Sequence, residues 1–226
     1  QGIYTPKPAS LVRVNIEKRG NKIGYIMGAG DDIPESLRQI GYQVDLLGKD
    51  DATVDNMAQY DAVILGVRAL NTVSWLKFKM DDLFSYTENG GNLIIQYNTN
   101  FRLVTDQVSP YPLTLSRDRV TVEEAEVRIL AGNHAIMNYP NKITTADFDG
   151  WVQERGLYFP SEWDSRFTPI LSSNDPGEPA RNGGLLVAKH GKGDFIYTGY
   201  SWFRELPAGV AGAYRIFANM ISLGKK

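Results

Sequence analysis

Short, mostly apolar runs alternate with longer amphipathic segments through the first hundred residues. Four runs read as buried strands, at residues 22–27, 43–47, 62–66 and 93–95. Between them, apolar positions recur at helical spacing over 33–40, 53–59 and 74–88. Because strands that alternate with helices through short connections form parallel sheets with right-handed crossovers, the sequence predicts an α/β fold.

The fourth run breaks off sharply into polar residues. Gly90 and Gly91 end the preceding helical pattern, and the polar turn Tyr97-Asn98-Thr99-Asn100 follows the strand. Ligands of open α/β sheets bind at the carboxyl ends of the strands, so a nucleophile would be expected in this turn. The turn contains no cysteine, serine or histidine.

The pattern changes after residue 100. An inserted β-rich region with many aromatic residues is predicted at about 118–171, followed by a hairpin over 184–198 and a final helix over 209–223. We interpret residues 22–226 as one domain, and residues 1–21 as a connector with an edge strand.

Composition excludes several kinds of function. With 24 basic and 26 acidic residues the net charge is -2, which gives no electrostatic case for nucleic acid. The absence of cysteine excludes disulfides and thiolate chemistry, and no apolar run is long enough to span a membrane. We expect no metal and no cofactor. Because the chain starts at Gln1, we expect a piece of a longer polypeptide. We favour a periplasmic or extracytoplasmic location over a cytoplasmic one.

A glycine-rich turn, Gly28-Ala29-Gly30, lies between the first strand and the first helix, as in a dinucleotide-binding motif. The third small residue of that motif is missing, and Asp31 and Asp32 would repel a phosphate at the start of the helix. We therefore interpret this turn as the lining of a crevice.

His134 is the histidine with the stronger claim to a function, since it follows a predicted strand in a polar loop. It could act as an acid or base together with Glu154 or Asp149. The alternative is a structural histidine that bonds the backbone. The spacing of the two histidines does not predict a metal site.

Carboxylates and aromatic residues are dense in the predicted insert, and sugars bind such surfaces through hydroxyl groups and C–H faces. The alternative is a small core with solvated charges. We also interpret Arg204 and Glu205 as a structural ion pair. The residues of the insert concerned are Asp147, Asp149, Trp151, Glu154, Arg155, Tyr158, Phe159, Glu162 and Trp163.

Two stretches, residues 90–100 and Gly191-Lys192-Gly193-Asp194-Phe195-Ile196-Tyr197-Thr198-Gly199-Tyr200, resemble the class I glutamine amidotransferase-like fold, with the ThuA-like branch the most similar. The resemblance implies a mostly parallel, flavodoxin-like three-layer sandwich. The stretches 151–158 and 206–215 resemble the C-terminal module of bacterial PIG-L/LmbE-type deacetylases.

The resemblance implies a domain without amidotransferase activity. Active members carry a cysteine at the position of Asn98, and their late histidine is replaced by Ser201-Trp202-Phe203. It further implies an accessory domain of a sugar-modifying protein, with an N-terminal zinc-dependent N-acetyl-sugar deacetylase domain as its partner and a carbohydrate as its ligand. An alternative is a hydrolase or isomerase acting on a sugar or amino sugar through His134. The residues expected to line the crevice are Gly28, Asp31, Arg68, Gln96, Asn98, Asn100, His134 and Glu154.

Overall fold

A computed structural model describes residues 15–225. Its centre is a seven-stranded sheet in which the first four strands and the last strand run parallel. These strands are β1 (Lys22–Ile26), β2 (Gln43–Leu46), β3 (Ala62–Leu65), β4 (Asn92–Gln96) and β11 (Gly193–Thr198). Two strands, β8 (Thr168–Pro169) and β10 (Leu185–His190), complete the order β2-β1-β3-β4-β11-β10-β8, with β10 antiparallel to both neighbours.

Both faces of the sheet are covered, because successive side chains along each strand point to opposite faces. Ile64 and Ile94 pack with α1 (Ile33–Gln39) and α7 (Ala211–Ile221) on one face. Val63 and Leu93 face the opposite layer, formed by α2 (Val54–Met57), α3 (Ala69–Thr72), α4 (Met80–Glu88) and a 3-10 helix (Ser74–Phe78). Strands buried on both faces need continuous apolar sequence, which the four runs provide.

The predicted fold class is confirmed, because the structure is a three-layer α/β sandwich with a mostly parallel sheet and β-rich additions. The stretch of chain between β4 and β10 forms two small antiparallel sheets. In one, β5 (Leu113–Val120) pairs with β7 (Gly156–Trp163), and in the other, β6 (Val127–Ile129) pairs with β9 (Leu171–Ser173). Helix α5 (Ala135–Asn138) and a 3-10 helix (Thr145–Phe148) connect them, and α6 (Trp202–Glu205) follows β11.

Several local predictions need correction. The edge strand predicted before residue 21 lies partly outside the described residues, and residues 15–21 form no strand. The helix predicted over 74–88 is divided into a 3-10 helix and α4 at Lys79, where the backbone leaves helical geometry. Asp32, which the sequence predicts as the N-cap of α1, makes no side-chain cap. The carboxylate of Asp31 instead accepts a hydrogen bond from the amide of Ile33 at 3.1 Å.

Candidate functional site

The carboxyl edge of the sheet brings together the turns that follow β1, β3, β4 and β11. Most of the predicted ligand-binding residues lie in these turns. The side chains separate into a buried group that holds the turns together and an exposed group that faces outward.

Asn98 belongs to the buried group, with no exposed surface. Its Oδ1 accepts a hydrogen bond from the amide of Leu70 in α3 at 2.8 Å, and its Nδ2 donates to the carbonyl of Gln96 at 2.8 Å. Its own amide donates to the hydroxyl of Tyr197 at 3.1 Å. Asn98 therefore does not line an open crevice as predicted. Its side chain instead holds the start of α3 in place.

Gln96 is also buried, and its Nε2 donates to the hydroxyl of Tyr25 at 2.9 Å. That hydroxyl donates to Asp31 at 2.7 Å, and Asp31 also accepts from the amide of Val67 at 3.1 Å. Burial raises the pKa of Tyr25 well above its ordinary value, and the charge of Asp31 adds to the rise. Gln96 and Asp31 thus belong to a hydrogen-bonded network that joins three strands, and Gln96 does not reach a ligand surface.

Gly28 is required by close packing of two turns. A Cβ atom at this position would lie 2.1 Å from the carbonyl oxygen of Val67, which accepts a hydrogen bond from the amide of Ala29 at 2.8 Å. Gly30 has open space around it, and Asn100 is exposed at the same edge.

The acid–base arrangement considered for His134 is not assembled. His134 caps α5, its Nδ1 accepting from the amide of Ile136 at 3.2 Å. Burial lowers its pKa, and the charges that act on it are those of Asp194 and Lys189 rather than Glu154 or Asp149. Asp194 lies near the start of β11, whereas Glu154 lies at the carboxyl edge, where its Oε1 accepts from the Nε of Arg204 at 3.1 Å.

The exposed group is built on the ring of Tyr97, which is itself only 8% exposed. Tyr97 stacks on Tyr158 with ring centroids 6.2 Å apart and an interplanar angle of 9°, and it contacts Phe203 at 5.4 Å. Tyr158 contacts Phe101 edge-on at 6.3 Å. Phe101 is 44% exposed, while Tyr158 and Phe203 are half-buried. We call Tyr97, Phe101, Tyr158 and Phe203 the aromatic cluster.

Charged side chains surround the aromatic cluster. The charges of Arg68, Arg204 and Glu154 all act on the hydroxyl of Tyr97, whose pKa is raised mainly by burial. The guanidinium of Arg117 lies 6.0 Å from the centroid of the Phe101 ring. The cluster therefore offers both ring faces and hydrogen-bonding groups.

The backbone is strained around the same cluster. The described residues other than glycine with a left-handed backbone are Arg68 (φ 56°), Arg102 (φ 54°), Gln153 (φ 69°) and Tyr158 (φ 53°). Tyr158 belongs to the cluster and Arg102 follows Phe101 in sequence. Arg68 donates its amide to the carbonyl of Tyr97 at 2.8 Å, and Gln153 bonds to Arg204, the residue after Phe203. Side chains with a Cβ atom adopt this conformation at a cost, and such residues concentrate at ligand-binding sites.

The predicted carbohydrate residues of the insert do not form one surface. Phe159 lies in the core, and Asp147 pairs with Arg215 at 2.8 Å. Asp149 lines a cavity of about 290 Å³ together with Glu123, Glu124, Trp151 and Arg155. Of the rings considered, only Tyr158 joins the aromatic cluster.

The predicted pair of Arg204 and Glu205 is not formed, since Arg204 pairs with Glu154. Glu205 is fully buried; its Oε2 accepts from the amide of Val152 at 2.9 Å, and its Oε1 has no hydrogen-bond partner among the described residues. Burial raises the pKa of Glu205 to about 7.

The sequence did not predict a role for Phe101, Phe203 or Arg117, because these residues come from three distant segments that meet only in the folded chain.

No family model and no curated protein matches the sequence. Solved structures do. A ThuA-like protein from Bacteroides uniformis is 12% identical, with a TM-score of 0.56 over 95% of this chain and 93% of that one. A GMP synthase component from Thermoplasma acidophilum is also 12% identical, with a TM-score of 0.56 over 91% and 96%. The chain has a glutamine amidotransferase-like fold.

Two further neighbours share the fold. The cytoplasmic protein STM1381 of Salmonella typhimurium is 14% identical, with a TM-score of 0.61 over 91% of this chain and all of that one. A β-galactosidase from Rahnella is 15% identical, with a TM-score of 0.51, and matches 93% of this chain over 32% of its own length. The favoured periplasmic or extracytoplasmic location is wrong on this comparison, because STM1381 and a second neighbour are described as cytoplasmic proteins. Within residues 15–225, the helices are all too short or too polar to cross a bilayer.

Proposed function

We propose that this chain is a non-catalytic accessory domain that binds carbohydrate through the aromatic cluster at the carboxyl edge of the sheet. The proposal depends on the contrast between buried and accessible side chains at this edge. The side chain at the former nucleophile position is buried and hydrogen-bonded, while Phe101 and Arg117 nearby are exposed and the rings of Tyr158 and Phe203 are half-buried.

The chemistry of the cluster suits a sugar. Pyranose rings place C–H groups against aromatic faces, and their hydroxyls bond to guanidinium and carboxylate groups. Phe101 and Tyr158 supply the faces, and Arg68 and Glu154 lie close enough to Tyr97 to act on its hydroxyl. The stacked pair of Tyr97 and Tyr158 holds the platform in place without a large entropic cost on binding.

The parent protein that we propose is a sugar-modifying enzyme. The resemblance of residues 151–158 and 206–215 to PIG-L/LmbE-type proteins supports an N-terminal deacetylase domain as the partner. The match to one third of a β-galactosidase supports the idea that this fold serves as one part of a larger sugar enzyme.

Calorimetric titration with a panel of oligosaccharides that includes amino sugars tests the proposal. We expect Phe101→Ala to weaken binding about tenfold, since loss of one stacking contact costs about 1.4 kcal/mol. Phe78→Ala is the matched control, because Phe78 is 69% exposed and makes no contact with the aromatic cluster. Absence of binding across the panel, or equal effects of the two variants, would overturn the carbohydrate proposal.

Packing against the partner domain is the second candidate, favoured by the 44% exposure of Phe101. Hydrogen exchange of residues 97–102 in the isolated chain and in the full-length protein tests it. Slower exchange in the full-length protein, with no binding of sugar to the isolated chain, would support packing in place of sugar binding.

A further inference from the structure

We infer that the carbohydrate bound by the aromatic cluster is anionic, carrying a carboxylate or sulfate group. This inference rests on the proposed function and concerns the same surface. Its basis is an excess of arginine at a single edge of a protein whose overall charge is slightly negative.

Four arginines lie in or beside the aromatic cluster, and the carboxylates at this edge are bound to other groups: Glu154 to Arg204, and Asp31 to the hydroxyl of Tyr25 and the amide of Val67. Among the described residues, Arg204 has an ion-pair partner, Glu154. Arg68, Arg102 and Arg117 have none within that part of the chain. Asp118, which follows Arg117 in sequence, pairs with Arg181 at 3.1 Å. Since these carboxylates are engaged elsewhere, the guanidinium groups of Arg68, Arg102 and Arg117 can pair with an external anion.

Arg68 shows most directly that a partner is missing. It occupies the tight turn between β3 and α3, where its amide donates to the carbonyl of Tyr97 at 2.8 Å. Its Nε is buried and has no hydrogen-bond acceptor among the described residues. A buried donor without an acceptor is costly, and the left-handed backbone at φ 56° adds to the cost. The terminal nitrogens of the same guanidinium are not buried and make no hydrogen bond among the described residues, so an anionic group can bind them.

Arg117 stands at the other end of the cluster. Its guanidinium is exposed and lies 6.0 Å from the Phe101 ring, so a sugar stacked on that ring would present its substituents to Arg117. A guanidinium group can donate two hydrogen bonds to two oxygens of one carboxylate or sulfate, which fixes both the position and the orientation of the anion. The cluster thus combines a stacking platform with cationic groups at both ends.

Single-stranded nucleic acid also binds surfaces that combine arginine with aromatic rings. The present surface fits a glycan better, because a net charge of -2 gives the whole protein no attraction for a long polyanion. The surface is also limited to the four rings of the cluster, one of them 44% exposed, which suits a short saccharide better than a run of stacked bases.

The test compares two oligosaccharides of equal length and linkage, one neutral and one with its C6 hydroxymethyl groups oxidised to carboxylates. Calorimetry at low and at high salt measures binding of each to the whole chain. We expect at least tenfold tighter binding of the acidic oligosaccharide at low salt, and a loss of most of that preference at high salt. Arg68→Gln and Arg117→Gln should each reduce the preference at least threefold.

Lys192→Gln is the charge-matched control, because Lys192 is exposed in the hairpin turn before β11, at the opposite edge of the sheet. It should leave the preference unchanged. Arg117→Gln covers the case in which Arg68→Gln does not fold. Equal binding of the two oligosaccharides overturns the anionic inference and leaves the proposed function standing. Binding of neither overturns both. Tighter binding of a single-stranded RNA oligonucleotide than of the acidic oligosaccharide overturns the choice of ligand class.

Discussion

Glu205 should make the stability of this domain fall as the pH rises from 4.5 to about 7. Its pKa lies at about 7 instead of the ordinary 4.5, because the carboxyl is buried. At about 1.4 kcal/mol per pKa unit, ionising it in the folded protein costs about 3 kcal/mol. Since the pKa is higher in the folded state than in the unfolded state, the contribution is complete below 4.5 and is lost as the pH rises to about 7.

Glu205→Gln removes the charge and keeps an acceptor for the amide of Val152. We therefore expect the variant to gain on the wild type with rising pH, by about 3 kcal/mol in the free energy of unfolding between about pH 4 and about pH 8. Urea denaturation of both proteins at several pH values measures this difference. Glu162→Gln is the control, since Glu162 is an exposed glutamate on β7.

A difference between wild type and Glu205→Gln that stays constant across this pH range would refute the reasoning. It would mean that water or the neighbouring Arg155 stabilises the carboxylate well enough to keep its pKa near the ordinary value. An equal pH response of Glu162→Gln would refute it too, because the effect would then not depend on burial.

Three further predictions concern the carboxyl edge. Asn98→Ala should lower the free energy of unfolding by about 2 kcal/mol, because a buried amide of α3 loses its acceptor, whereas Ala at the exposed Asn100 should change it by less than about 0.5 kcal/mol. Gly28→Ala should cost about 2 kcal/mol because its Cβ would overlap a carbonyl oxygen, and Gly132→Ala, with 3.9 Å to the nearest atom, should not. Asp31→Ala should cost at least as much as Asn98→Ala, since its carboxylate accepts from one hydroxyl and two backbone amides. Urea denaturation checks all three. Asn100→Ala as destabilised as Asn98→Ala, Gly132→Ala as destabilised as Gly28→Ala, or Asp31→Ala less destabilised than Asn98→Ala would contradict the explanation.

The parallel sheet could be predicted because burial on both faces imposes a continuous apolar run, and that requirement is local in sequence. The apolar runs around Ile64 and Ile94 predicted two buried strands, and these strands pair in parallel in the sheet. The abrupt polar ending of β4 also pointed correctly to the edge where the turns meet.

The fate of polar side chains at that edge could not be predicted in the same way. Gln96 and Asn98 look like ligand-binding residues in sequence, yet both are buried because Tyr25 and α3 supply their partners from elsewhere in the chain. The aromatic cluster was missed for the same reason. Tyr97 and Tyr158 are separated by a long insert, and the second ring reaches the first because the amide of Leu157 donates to the carbonyl of Gly199, just after β11.

The insert is tied to the sheet by hydrogen bonds that leave little freedom for protein engineering. The carbonyl of Arg155 accepts from the amide of Ser201 at 2.9 Å, while its buried guanidinium donates to the carbonyls of Ala125 and Phe148. Excising the insert to obtain a minimal flavodoxin-like core would strip these partners from the segment after β11 and expose Glu205. A shortened version of this domain would therefore need a redesigned α6, and a protease that cut the insert between Arg155 and Gly156 would loosen the end of β11 at the same time.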